Sequence, residues 1–289
     1  MLRNWLKAGY LDQQRFHATK AGTPQGGIIS PAIANMTLDG LERLLATHFS
    51  KTSQVGQRAK VNLIRYADDF CVTGSSKDLL EQQVKPLVEP FLCGRGLQLS
   101  PTKTVMTHIE DGFDFLGQTI RKYRRRKRPK FFITPAKQSI KALLRKIRTR
   151  IKVSRDLTAG ELICDLNPLV RGWALYHRHV VSKAIFHAVD HAIFQALWKW
   201  ARHRHRNKPA RWVKKKYFPD EGPNRWVFTA VLKGEEGSVK VVRLLAASSI
   251  RIEQSVSSGA RRYEQSPIPT TPPGKRILKS ASMCKWRPG

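Results

Sequence analysis

Between Pro135 and Ile151 apolar side chains return at Ile140, Leu143, Leu144, Ile147 and Ile151, and Lys137, Lys141, Arg145, Lys146, Arg148 and Arg150 fill positions between them. A stripe at i, i+3, i+4, i+7 and i+11 runs along one side of an α-helix; in a strand the same residues would scatter over both faces. This part of the chain is therefore committed to a helix with one buried side and one densely cationic side. Thr134 is placed to cap it and Pro135 to occupy its first position. A second helix is predicted from Thr158-Ala-Gly-Glu161, a capping-box spacing, through Leu162, Ile163 and Leu166 to Asn167-Pro168, where proline should end or redirect it. A third should follow Ser182 and bury some of Ile185, Val189, Ile193, Leu197 and Trp200. Three such helices make a small bundle with a basic exterior.

The charge is not confined to that bundle. Lys and Arg number 53 against 21 Asp and Glu, a formal net charge of +32. A compact fold so charged repels itself without a polyanionic partner, and nucleic acid fits that role better than an anionic membrane. No apolar run approaches the ~20 residues that span a bilayer, and no secretory signal is visible. Met1-Leu-Arg-Asn-Trp-Leu-Lys7 is basic but lacks serine and meets Asp12 early, so it reads as body sequence. Cys71, Cys93, Cys164 and Cys284 lie far apart with no CxxC pair, which argues against a zinc or dithiol site. His203 and His205 have no acidic or thiol neighbours, so they read as part of a basic strip.

Composition divides the chain into a mixed segment, 1–123, a basic helical segment, 124–218, and a tail, 219–289, rich in Ser, Pro, Gly and Arg. The first boundary is the run from Arg121 to Lys130, too charged for a core and suited to a linker or hairpin lying on phosphate. In the first segment Val61–Ala67 and Phe70–Thr73 are β-prone runs flanking Asp68-Asp69, so two strands joined by a tight turn are expected. Ser75 to Phe91 reads as a helix kinked at Pro86. Adjacent carboxylates at a hairpin tip repel each other and are most easily retained when they hold a divalent metal. Two-metal phosphoryl transfer requires carboxylates that clamp Mg²⁺ ions ~3.5–4 Å apart. About forty residues upstream, Ala21-Gly-Thr-Pro-Gln-Gly-Gly-Ile-Ile-Ser-Pro31 leads into a helix-prone stretch. There Gln25 offers an amide, and Gly26 and Gly27 let the backbone approach a ligand closely.

Trp5-Leu-Lys-Ala-Gly-Tyr10, the Gln25-Gly26-Gly27 loop and Arg65-Tyr-Ala-Asp-Asp-Phe70 resemble successive motifs of group II intron reverse transcriptases. Gly96-Leu-Gln-Leu-Ser-Pro-Thr-Lys-Thr104 is similar to that family's lysine-bearing motif, and Phe113-Asp-Phe-Leu-Gly117 to its primer-supporting element. Leu166-Asn-Pro-Leu-Val-Arg-Gly-Trp-Ala-Leu-Tyr176 resembles the signature of its maturase domain, the thumb or domain X. The motifs follow the family's order and cover roughly Met1 to Phe218.

The resemblance implies an α+β fold, part of a right-hand polymerase palm followed by a helical thumb. It implies Asp68 and Asp69 as Mg²⁺ ligands and catalytic residues, and Lys103 as a proton donor to pyrophosphate. Tyr66 and Ala67 would floor the nucleotide pocket, with Gln25, Gly26 and Gly27 near nucleotide and template. RNA contacts are expected at Arg145, Arg171, Arg178, Arg202, Arg204 and Arg206. On the helical wheel Leu169, Trp173 and Tyr176 share a side suited to core, whereas Arg171, His177, Arg178 and His179 are expected on the charged side.

The implied partners are a group II intron RNA and a DNA primer or target, with no membrane. A bacterial cytoplasm is the expected location, an organelle the lesser alternative. The family's other essential aspartate lies upstream of the Trp5 string, so truncation is expected, together with inactivity unless an N-terminal reverse transcriptase segment or a homo-oligomer partner supplies the rest. The alternatives are a non-catalytic RNA-binding maturase fragment that assists intron folding and splicing, or a decayed copy. The CxxC pairs and His-Asn core of the endonuclease domain found in some relatives are absent from the tail.

Overall fold

The computed structural model describes residues 10–12, 15–17, 30–124, 129–154, 156–219, 226–233, 239–253 and 276–280. Helices and small antiparallel sheets are mixed, as expected of an α+β chain. Backbone contacts divide it into one unit formed by Met1–Gly112 with Ile268–Gly289, and another formed by Phe113–Pro267.

In the first unit β1 (Tyr10–Asp12) pairs with β2 (Arg15–His17). Helices α1 (Ser30–Thr37), α2 (Leu41–His48) and α3 (Gln54–Ala59) precede the hairpin of β3 (Asn62–Tyr66) and β4 (Asp69–Gly74). The predicted kinked helix is α4 (Lys77–Leu79), a π turn over Leu80–Val84, and α5 (Lys85–Cys93). An α-helical turn would drive the Pro86 ring against the carbonyl four residues back, and the wider π turn just before it relieves that clash. Leu41, Leu45, Val72, Leu80, Val84, Val88 and Leu92 form the core of this unit. A Cβ at Gly74 would stand 2.8 Å from Leu80 Cδ2, so a larger residue there would displace the Leu80 side chain. The sheet also contains β5 (Val105–His108) and β11 (Arg276–Ser280), in the order β3-β4-β11-β5.

The second unit opens with β6 (Phe113–Phe115), β7 (Gln118–Tyr123) and β8 (Lys130–Pro135), an antiparallel sheet in that order. The boundary of composition at Tyr123 is thus not the boundary of contacts at Gly112: the basic run joins two paired strands inside one unit. Thr134 and Pro135 also depart from expectation, since they end β8 opposite Thr119 and Gln118. Ala136 instead caps α6 (Lys137–Val153), whose buried side is Leu143, Ile147 and Ile151.

Thr158 and Glu161 form the expected capping box on α7 (Ala159–Tyr176). That helix runs straight through Pro168. Pro168 and Cys164, whose carbonyl the proline leaves without its helical donor, lie on the exposed side, where the group is open to solvent. Beside it, Asn167 Oδ1 accepts from Leu245 N at 2.7 Å and Asn167 Nδ2 donates to Arg243 O at 3.0 Å.

Next come α8 (Lys183–Arg204), burying Val189, Ile193, Leu197 and Trp200, and α9 (Ala210–Tyr217). The ribbon of β9 (Thr229–Lys233) and β10 (Val239–Arg243) lays Leu232 against Gly160 of α7. Asp190 holds the segment that follows, accepting from Ala247 N at 2.7 Å and Ser248 N at 2.9 Å.

The helical-wheel reading of α7 needs two corrections. Trp173 does face inward, with its ring 5.5 Å from Phe186 and its Nε1–H donated to Ser139 Oγ at 3.1 Å. Tyr176, however, is 50% exposed and donates to Leu116 O at 2.8 Å. His177, assigned to the charged side, is fully buried, because the β6–β7 turn and the start of α6 cover that side of the helix end.

Candidate functional site

The carboxylate pair sits where β3 turns into β4. Tyr66 pairs with Asp69, leaving only Ala67 and Asp68 as the loop, a two-residue hairpin connection. Ala67 takes a positive φ of 52°, a conformation a residue with a Cβ adopts at some strain. The strand alternation behind the turn explains its placement. Phe70 and Val72 of β4 go into the core, so Asp69 stands on the other face while Asp68 occupies the tip.

Asp68 and Asp69 are partly exposed, and Tyr66 is 64% exposed beside them. Arg65 steadies the hairpin by donating to Asn35 Oδ1 at 3.3 Å and Asn35 O at 3.4 Å. Carboxylate oxygens are the donor type that Mg²⁺ prefers, so the pair fits a hard divalent cation in chemistry. Among the described residues no group of three or more His, Cys, Asp or Glu converges on one point.

Lys103 lies in an exposed turn, its backbone N–H bonded to Ser100 O at 3.2 Å. Gln25, Gly26 and Gly27 lie outside the described residues.

The second unit carries the cationic surface. Arg145 and Arg171 are exposed on α6 and α7. Arg178 is half-buried instead, ion-paired with Glu253 at 3.2 Å while its carbonyl accepts from Glu253 N at 3.0 Å. That double contact anchors the 243–253 segment and makes Arg178 a structural tie as well as a charge.

Arg202, Arg204 and Arg206 are exposed at the end of α8. Arg204 donates to Leu157 O at 2.8 Å and lies over the Trp200 ring at 5.2 Å, while Arg206 contacts His203 Nε2 at 2.6 Å. The residues 191–219 contain no acid, and sequence reasoning passed over what this run builds. Lys208 and Lys216 stand 5.7 and 4.8 Å from the Trp212 ring, and Lys214 stands 4.5 Å from Trp226. Trp226 in turn packs on Phe194 and Trp198, both at 5.8 Å.

His205 bonds the Tyr217 hydroxyl at 2.8 Å. Burial first, then the positive charges of Lys216, Arg204 and Lys208, hold its pKa below the usual histidine value. Burial raises that of Tyr217. Interleaved cations and aromatic rings suit phosphate and unpaired bases together. No described helix is long and apolar enough to cross a membrane.

Comparison with known proteins gives the same division of labour along the chain. Residues 1–120 match the family "Reverse transcriptase (RNA-dependent DNA polymerase)", and residues 140–218 match "Group II intron, maturase-specific domain". Group II intron-encoded protein LtrA of Lactococcus lactis subsp. cremoris is 28% identical, with 42% of this chain and 29% of that protein covered. Protein YkfC of Escherichia coli K12 is 28% identical over 44% of this chain and 39% of its own length. An uncharacterized 91 kDa protein in the cob intron of Schizosaccharomyces pombe is 26% identical over 42% and 21%. The chain thus spans well under half the length of these relatives.

Proposed function

From the premise that this chain belongs to the group II intron-encoded reverse transcriptase and maturase family, we propose that it serves RNA-directed DNA synthesis and intron splicing through two separate surfaces. The first unit is the palm portion of the polymerase and the second is its thumb, or maturase domain. The observation that carries the reading is the Asp68-Asp69 pair on a two-residue hairpin turn, followed in the same chain by a maturase-specific helical domain with a basic, aromatic-studded exterior.

In this proposal Asp68 and Asp69 hold Mg²⁺, which supplies activation of the primer hydroxyl and stabilisation of the departing pyrophosphate. Tyr66 and Ala67 form the floor on which the incoming nucleotide rests, and Gln25, Gly26 and Gly27 border nucleotide and template. Lys103 gives a proton to pyrophosphate. Two-metal polymerisation uses a further carboxylate ligand beside this pair. The partners are a group II intron RNA and a DNA primer or target, met in a bacterial cytoplasm.

The second unit holds intron RNA mainly through phosphate, using Arg145, Arg171, Arg202, Arg204 and Arg206, with Arg178 placing the surface. This part of the reading also supports a second function, that of an RNA-binding maturase that assists folding without synthesis. It is favoured by the position of the cationic surface in the maturase-specific segment. Titration of a structured group II intron RNA tests the surface. If six to ten phosphates are neutralised, affinity falls roughly 10³–10⁵-fold between ~50 and ~200 mM salt. The double variant Arg202→Ala/Arg206→Ala should bind more weakly and with a shallower salt slope. Affinity indifferent to salt contradicts the electrostatic basis.

A further inference from the structure

The hairpin of β7 and β8 is anchored at one end and open at the other. At its base Pro135 and Ala136 are buried, and Ile133 O accepts from Val181 N at 2.9 Å. Exposure rises away from that base, from half-buried Phe132 to exposed Lys130 along β8 and from half-buried Gln118 to exposed Tyr123 along β7. Residues directly opposite one another share a face, so Arg121, Tyr123, Lys130 and Phe132 stand on one side of the outer half, and Lys122 and Phe131 on the other. On the first side Tyr123 meets Phe132 edge-on at 5.6 Å, and the Arg121 guanidinium lies 5.0 Å from the Tyr123 ring. Strand pairing accounts for that cluster. It does not account for Phe131, which is 56% exposed opposite Lys122. A ribbon that only lay on phosphate would need cations there and no phenyl ring in water.

The surroundings of the ring select its occupant. Residues 121–130 are all Lys or Arg apart from Tyr123 and Pro129, in a chain of net charge +32, so a second copy of the chain is repelled. A polyanion is attracted, but in a duplex the base faces are stacked on one another. An unpaired nucleotide offers a phosphate and a free planar face together. We propose that the outer half of the β7–β8 hairpin is a binding site for single-stranded nucleic acid, in which Phe131 stacks on an unpaired base and Lys122 takes an adjacent phosphate. The inference rests on the reading of the second unit as RNA-binding, and adds a site selective for unpaired nucleotides, built from residues other than the arginines of α8.

The test uses the full chain and a single-stranded RNA of ~12 nucleotides, within the span that such sites cover, carrying 5-bromouridine. Ultraviolet crosslinking, trypsin and mass spectrometry should place the uridine on Phe131, and annealing the complementary strand should lower that crosslink at least tenfold. Phe131→Leu keeps apolar bulk and loses the flat ring. It should melt with the parent, yet bind the strand about tenfold more weakly at an unchanged salt slope, while Phe131→Trp binds at least as tightly as the parent. Lys122→Ala should instead make the slope shallower by ~0.7. Equal crosslinking of strand and duplex, or parental affinity in Phe131→Leu, overturns the proposal. So does a Phe131→Leu chain that keeps the strand but no longer binds phosphatidylserine–phosphatidylcholine vesicles, which would assign the ring to a lipid surface. Any of these failures, with the salt response of the intron RNA complex and its Arg202→Ala/Arg206→Ala effect intact, removes the stacking site alone and leaves the broader RNA-binding reading standing.

Discussion

His177 gives the second unit a stability that depends on pH in a calculable way. Its ring is fully buried at the end of α7, with Nε2 3.2 Å from Ser139 Oγ and Nδ1 lacking a hydrogen-bond partner. Burial, and secondarily the charge of His179, lower its pKa from 6.5 to about 4. The unfolded chain therefore binds a proton that the folded chain refuses between those two values, and stability falls as pH falls through that window. From the two pKa values, this one group removes almost nothing at pH ~7.5, about 2 kcal/mol at pH ~5, and at most about 3 kcal/mol below pH ~4.

His177→Leu abolishes the linkage and removes an orphaned polar atom, with the loss of the Ser139 contact acting the other way. Its stability should therefore lie within about 1 kcal/mol of the parent at pH ~7.5 and exceed the parent's at pH ~5, where the parent has lost about 2 kcal/mol. Urea unfolding followed by tryptophan fluorescence reports this unit, which holds Trp173, Trp198, Trp200, Trp212 and Trp226. Parallel pH profiles for parent and variant would refute the reasoning, because they would mean that His177 takes up its proton without unfolding.

Other outcomes follow from the same contacts. Gly160→Ala places a Cβ 2.5 Å from Leu232 Cδ2, and should cost about 1–3 kcal/mol by overpacking, recovered in part by adding Leu232→Ala; denaturant midpoints of the three chains check it. Thr158→Ala removes the α7 capping box and should lower stability by about 0.5–2 kcal/mol, with Thr158→Ser nearly neutral in the same unfolding assay. Arg171→Ala, exposed on α7, should leave melting unchanged and weaken intron RNA binding, whereas Arg178→Ala should lower the melting temperature too, since it frees the Glu253 segment.

Periodicity made the helices of the second unit legible, because a stripe such as Leu143, Ile147 and Ile151 admits one backbone conformation. It was blind to context. The 3.6-residue repeat could not reveal that the β6–β7 turn covers the end of α7, and so it sent His177 to solvent and Tyr176 to the core. Pro168 misled for a related reason: proline marks a missing donor, but whether that ends a helix depends on which face it occupies. The YADD turn was readable because β-prone runs bracket two acids and the chain has a short path between them. β11 was not, since its pairing with β4 and β5 joins residues roughly two hundred positions apart, which local periodicity does not report. The rings and lysines around Trp212 and Trp226 had a visible signal in the acid-free run 191–219 that helical wheels alone did not use.

The most direct test of the account is primer extension on an RNA template with Mg²⁺, using this chain together with the upstream reverse transcriptase segment of a group II intron-encoded relative. The account predicts extension when the two are combined, and loss of at least ~100-fold on Asp68→Ala in this chain. Extension in the complemented reaction that survives Asp68→Ala would contradict the assignment of the hairpin carboxylates as the metal-binding centre.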